Sequence, residues 1–216
     1  MDRNRHDRPR AVGPALAAMA LAATLVTGAA AGAAPEGSPL ARVRTTVDAV
    51  LAVLGEPGLD RDQRWERIAE AIGEHFDFQS MSQSVLASSW QRASAVERRQ
   101  FTEYFSQYIE VTFRSRIESY AGQGIEYLGE RTADDRAVVD TVIVSGDVRT
   151  PVTYRLRRAD TGTRAGQWLA YDVVIEGVSL VANYRNTFAA IVKSEGMEGL
   201  LADVRRRIEK HRGSPQ

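Results

Sequence analysis

The hydrophobic period of this chain changes twice. Over 40–120 apolar residues recur at helical spacing, over 125–175 they fall in strand-like segments, and over 180–208 helical spacing returns. Helices first and last, with strands between them joined by the short, turn-rich connections TADD, SGD and ADTGTRAG, restrict the fold. The strands pair antiparallel in a meander and the helices segregate around it, which predicts an α+β domain. Four strands are expected, over 125–131, 136–145, 148–158 and 167–175. In the third, Val152, Tyr154 and Leu156 alternate with Thr153, Arg155 and Arg157, as a half-buried strand requires. The second, AVVDTVIVS, is apolar on both faces apart from Asp140 and Thr141.

The helical segments carry their own start and stop signals. Residues 39–54 place Leu40, Val43, Val47, Val50, Leu51 and Leu54 at helical spacing, ended by Gly55 and Pro57. Asp60 and Gln63 form a capping-box pattern before a helix whose apolar face is Trp65, Ile68, Ala69, Ile72 and Phe76. The segment FDFQSMSQSVLASSW at 76–90 predicts short helices, and Ser94 with Glu97 opens a long one over 94–121. In that long helix Phe101, Tyr104, Phe105, Tyr108, Ile109, Val111, Phe113, Ile117 and Tyr120 spread over more than half the circumference. A surface helix needs an apolar stripe of only about 100°. This one therefore sits in the centre of a core, or lies between a sheet and a second helix or a ligand. Arg116 falls in the apolar arc and requires a partner there. Beyond Gly177, Leu180, Tyr184, Phe188 and Ile191 share one stripe, and Leu200, Leu201, Val204 and Ile208 another.

Charge and composition exclude several classes of function. The 28 Lys+Arg balance 28 Asp+Glu, so no global field attracts nucleic-acid phosphates. With no Cys there is no disulfide framework, thiolate metal site or Cys nucleophile. The three His, at His6, His75 and His211, are too few for a multi-histidine metal site. At the N-terminus, DRNRHDRPR precedes the uncharged run AVGPALAAMALAATLVTGAAAGAA, whose end is rich in Gly and Ala. That three-part pattern predicts a cleaved secretory signal peptide over 1–33 and export as a soluble protein, the alternative being a membrane anchor that is never cut. Cleavage would leave 24 basic and 26 acidic residues. The expected organisation is one α+β domain over 34–211 and a flexible tail over 212–216.

The catalytic inventory is thin. No nucleophile elbow, phosphate-binding loop, dinucleotide fingerprint, zinc-protease helix or EF-hand loop occurs. Asp140, Asp172 and Glu176 are the carboxylates of interest, and Asp140 or Asp172, buried near a Tyr, could serve an isomerase-like enzyme. Each reads equally as a hydrogen-bond acceptor on the sheet surface or in a turn. Ser179 follows the last strand with no visible base and is expected to cap the next helix.

The segments FDFQSMSQSVLASSW, the aromatic helix over 101–120, PVTYRL at 151–156 and WLAYDVVIEGVSLVANYRNTF at 168–188 resemble the MlaC family. These are periplasmic phospholipid-binding components of an ABC transport system, also known as toluene-tolerance proteins. The resemblance runs from about residue 40 to 210, and W-x-x-Y-D-V-x-I-E-G-V-S-L-x-x-N-Y-R is its most specific string. One departure is Ala87, where the family commonly has Gly. The resemblance implies a non-enzymatic carrier with a nuclear-transport-factor-like fold, a curved sheet of about four strands wrapped by helices around an apolar cavity. It implies phospholipid as cargo, no cofactor, no metal and no nucleic acid. It also implies a monomer that meets an inner-membrane ABC transporter complex and an outer-membrane lipoprotein/porin complex. A similar branch associated with hopanoids implies a different cargo. Burying about 0.8 kcal/mol per CH₂, two chains of roughly thirty methylenes cost on the order of 20 kcal/mol to expose to water, hence the need for a carrier.

On this reading the acyl chains lie between the sheet and the long helix. Phe105, Ile109, Phe113 and Ile117 are expected on one side, with Val142, Val144, Val152, Tyr154, Val173 and Ile175 opposite. The strand facing is inferred from alternation, and a one-residue slip exchanges the set. In the NYR string, Tyr184 serves as a core aromatic or as cavity wall. Arg185 forms a salt bridge, to Asp172 or Glu176, or contacts a headgroup or partner. An adaptor without a cavity, with an exposed apolar patch, is the third class of function.

Overall fold

The computed structural model describes residues 37–120 and 122–213. The helix α1 (Pro39–Gly55) begins at Ser38, whose side chain accepts from the Ala41 N–H. The capping boxes form as the spacing predicts, Asp60 with Gln63 before α2 (Arg61–Gly73) and Ser94 with Glu97 before α5 (Ala95–Glu118). Between them lie α3 (Phe78–Leu86) and α4 (Ser88–Arg92). They meet at Ala87, whose φ of 49° and ψ of −121° belong to a region that a Cβ resists.

The strands β1 (Gly124–Ala133), β2 (Arg136–Ser145), β3 (Val148–Arg158), β4 (Trp168–Ile175) and β5 (Val178–Ser179) form one antiparallel sheet in chain order. β5 adds to the four expected strands and is too short for alternation to reveal. Register shifts at Tyr127/Gly129 on β1 and at Arg155/Leu156, between β3 and β4, interrupt an otherwise continuous ladder. Such irregularities bend a strand and increase its twist. After β5 comes α6 (Leu180–Gly213), two helices joined at Gly196, whose φ of 71° and ψ of −171° break the helical path. The arrangement is α+β, as expected from the order of periods.

Two apolar cores hold these elements. In the first, side chains of α3, α4, α5 and α6 interlock around Phe101, Phe105, Phe188 and Leu200. In the second, Val43 of α1 meets Ala137, Val139, Leu156, Trp168 and Ala170 of the sheet. Phe76 touches both. It does so where the chain crosses to β4. There the Ala170 N–H donates to the His75 carbonyl at 2.9 Å, and the Asp77 N–H donates to the Ala170 carbonyl at 2.8 Å.

The expected signal peptide lies outside the described residues. α6 continues to Gly213, so the expected tail from 212 begins within its last turn, and 214–216 lie outside the described residues. Among the described residues no helix is long and apolar enough to cross a membrane.

Candidate functional site

Directly paired residues of an antiparallel ladder project to the same side of the sheet. Val139 pairs with Tyr154 and Thr141 with Val152, and these pair onward with Val173 and Ile175. Ile143 and Tyr127 continue that inner face, on which α1 packs through the second core. Val142 pairs with Pro151 and Val144 with Arg149, on the opposite face. The expected placement of Val142 and Val144 beside Val152 and Tyr154 is thus corrected by one residue: Thr141 and Val139 hold those positions, and Ile143 follows on the same face beside Thr150. Because β2 is apolar on both sides, its pattern could not fix which set turns inward.

The outer face is laced with polar contacts. Asp140 pairs with Arg131 at 2.7 Å and accepts from the Thr153 hydroxyl at 2.7 Å. Asp172 is buried, pairs with Arg155 at 3.1 Å, and accepts from the Ser179 hydroxyl at 2.7 Å and the Val181 N–H at 3.1 Å. The Ser179 oxygen in turn accepts from the Ala182 N–H at 3.0 Å, the cap its position predicts. Both aspartates are therefore engaged on the side away from Tyr154, in structural bonds, and neither faces the apolar interior an isomerase would use. Among the described residues no cluster of three or more His, Asp or Glu side chains is placed to hold a metal ion.

The long helix α5 divides along its length. Phe101, Phe105 and Tyr108 are buried against α3 and α6. Phe105 has no exposed surface, and Tyr184 lies in the same aromatic cluster, 5.4 Å from Phe105 and 5.6 Å from Phe188 between ring centres. The Tyr184 hydroxyl bonds to Thr112, and burial pushes the phenol up to about 12. Phe105 is accordingly a core residue, a correction to its expected place on the cavity wall, and Tyr184 takes the first of its two expected places, that of a core aromatic. Arg185 is exposed and its Nε donates to the Ser84 carbonyl at 2.8 Å, tying α6 to α3. That contact replaces the expected salt bridge, since Asp172 is held by Arg155. Arg116 is exposed over the Phe113 ring, 5.4 Å from its centre, and not in the core.

Toward its C-terminus α5 leans on α2. Arg114 lies 5.5 Å over the Trp65 ring and pairs with Asp62 at 2.8 Å, while Arg61 pairs with Glu118 at 2.8 Å. Here Phe113 and Ile117 are half-buried and belong to neither core, as do Ile143 and Ile175 on the sheet. Val152 and Val173 are buried and also lie outside both cores, and Ile109 borders the first. Apolar surface left outside both cores is the observation that marks this region.

A family model for the MlaC protein matches residues 44–206. The chain belongs to the MlaC family. A curated relative of this family, the intermembrane phospholipid transport system binding protein MlaC of Haemophilus influenzae, is 26% identical over 120 residues. That match takes in 54% of this chain and 55% of the relative, so the chain spans about half the length of the curated relative it matches. A phospholipid-binding protein from Ralstonia solanacearum, solved in complex with a phospholipid, superposes with a TM-score of 0.72 at 24% identity. The superposition covers 80% of this chain and 98% of that one, so the two share a fold. Tyr127, Ile125, Val139, Thr141 and Ile143 are inner-face residues outside the expected set. The Ile125, Tyr127 alternation on β1 was the available signal for the first.

Proposed function

We propose that this MlaC-family protein is a phospholipid carrier that encloses acyl chains between the inner sheet face and the C-terminal half of α5. The single observation that supports this is the apolar surface of Phe113, Ile117, Ile143 and Ile175, which neither core fills. Ile109, Val152, Tyr154 and Val173 complete the proposed wall. The phospholipid bound by the Ralstonia relative supports the class of cargo. The carrier performs no chemistry. It travels the periplasm after removal of residues 1–33, as a monomer, between an inner-membrane ABC transporter complex and an outer-membrane lipoprotein/porin complex.

Native mass spectrometry of protein purified without detergent, with organic extraction of what it carries, tests this reading. One diacyl phospholipid per chain is the expected result. A hopanoid in its place would move the protein to the related branch. A chain that is empty and takes no lipid from vesicles would overturn the carrier reading.

A further inference from the structure

The inner face carries few polar side chains, and most are already satisfied. The Thr141 hydroxyl donates to the Val152 carbonyl at 3.0 Å, and the Glu130 carboxylate accepts from the Leu40 N–H at 2.5 Å. Thr132, Ser145 and Thr150 lie toward the strand ends, and nearer the middle stand two phenols, Tyr127 on β1 and Tyr154 on β3, diagonal across β2. Tyr127 lies at the α1 margin, its ring 4.4 Å below the Arg44 guanidinium and its hydroxyl near Asp48. Tyr154 has no such company: its only titratable neighbour of consequence is Tyr127, and burial pushes it up to about 12.

The Tyr154 hydroxyl makes no hydrogen bond to any described residue, yet it is not sealed. The sealed, unpartnered polar atoms among the described residues are Arg42 Nε, Arg64 Nε, His75 Nε2, Ser82 Oγ and Arg157 Nε. Tyr154, which packs against the second core, is absent from that set and half-buried, so its oxygen keeps accessible surface on the inner face. Water satisfies such a hydroxyl while the face is open, but a lipid that fills the space displaces that water, and a hydroxyl then left without a partner is costly. A partner that arrives with the ligand removes the cost. Acyl chains offer no acceptor; the ester carbonyl oxygens, just below the headgroup, are the acceptors a diacyl lipid carries nearest its chains.

We propose that the Tyr154 hydroxyl donates to an ester carbonyl of the bound lipid and so selects ester-linked over ether-linked chains. The inference rests on the carrier reading and adds a selectivity that an apolar cavity alone cannot supply, since chains of equal length bury equal area. One neutral hydrogen bond corresponds to roughly a three- to ten-fold change in affinity.

The test offers the full-length protein vesicles containing equal parts of diester and dialkyl-ether phosphatidylethanolamine with chains of one length. The lipid recovered on the protein is then weighed by mass spectrometry. Wild type is expected to enrich the diester about three- to ten-fold. Tyr154→Phe, which keeps the ring, is expected to bring the ratio in the lipid it still carries near one and to melt cooperatively. Equal loading of both lipids by wild type, or an undiminished preference in Tyr154→Phe, overturns the role of the hydroxyl and leaves the carrier standing. Loading of neither lipid by wild type overturns both.

Discussion

At the scale of single residues, the departure at Ala87 has a conformational cause. The chain turns from α3 into α4 with φ 49° and ψ −121°, where glycine is at ease and a Cβ is strained by about 1–3 kcal/mol. The resemblance marked Ala87 as the place where relatives carry Gly, and the backbone supplies the reason. Ala87→Gly removes the strain and gives back part of the gain as unfolded-chain entropy. A net stabilisation of about 1 kcal/mol is expected, measured as a rise in the midpoint of denaturant unfolding. Asp172 shows the same lesson with the opposite sign. A strand carboxylate that could have been a catalytic base is occupied by a guanidinium, a hydroxyl and a helix N-terminal amide, and there it holds α6 against β4.

At the scale of elements, adjacent residues of β2 separate the two faces of the sheet. Ile143 and Val144 are both half-buried, pair with Thr150 and Arg149, and point opposite ways. Ile143→Asp would set a carboxylate among the proposed acyl contacts, and Val144→Asp would set one beside Arg149. The first is expected to lose co-purified lipid while remaining folded by circular dichroism, and the second to keep it; the reverse would mean that the inner face is misassigned. Strand and helix boundaries were legible to within a few residues because caps, turns and periods agreed on them. Facing was legible in β3, where Val152, Tyr154 and Leu156 alternate with polar residues, and illegible in β2, where both faces are aliphatic. The same ambiguity misplaced Phe105. A helix apolar over more than half its circumference does not reveal which part of the arc meets another helix and which part is left open.

At the scale of the whole molecule, the helical core and the sheet core are joined where His75 and Asp77 bracket Ala170. His75 is buried at this joint. Its Nδ1 lies 2.7 Å from the Ala71 carbonyl, which fixes the proton there, and its Nε2 is sealed without a partner. Arg42 of α1 donates to the Glu74 and Gln167 oxygens beside it, and Arg164 donates to the Gly73 and Phe76 carbonyls. Burial, helped by Arg42 and opposed by Ala71 and Glu74, holds the imidazole below its ordinary 6.5. The unfolded chain then takes up the proton first, so this contribution to stability is complete above about pH 6.5 and is lost as pH falls below it. Melting temperatures are expected to drop between pH 7.5 and 5.5 in wild type and to drop less in His75→Asn, which retains a donor near the Ala71 carbonyl. An equal drop in both would assign the pH response to other groups. The register shift at Tyr127/Gly129 has a separate consequence for the molecule among its neighbours. β1 is the outer margin of the sheet, and its row of amides is interrupted at Leu128, next to the charged Glu126, Glu130 and Arg131. A foreign strand could zip along that margin only by carrying the same irregularity in the same place, so the defect guards a crowded solution of this protein against fibrillar growth.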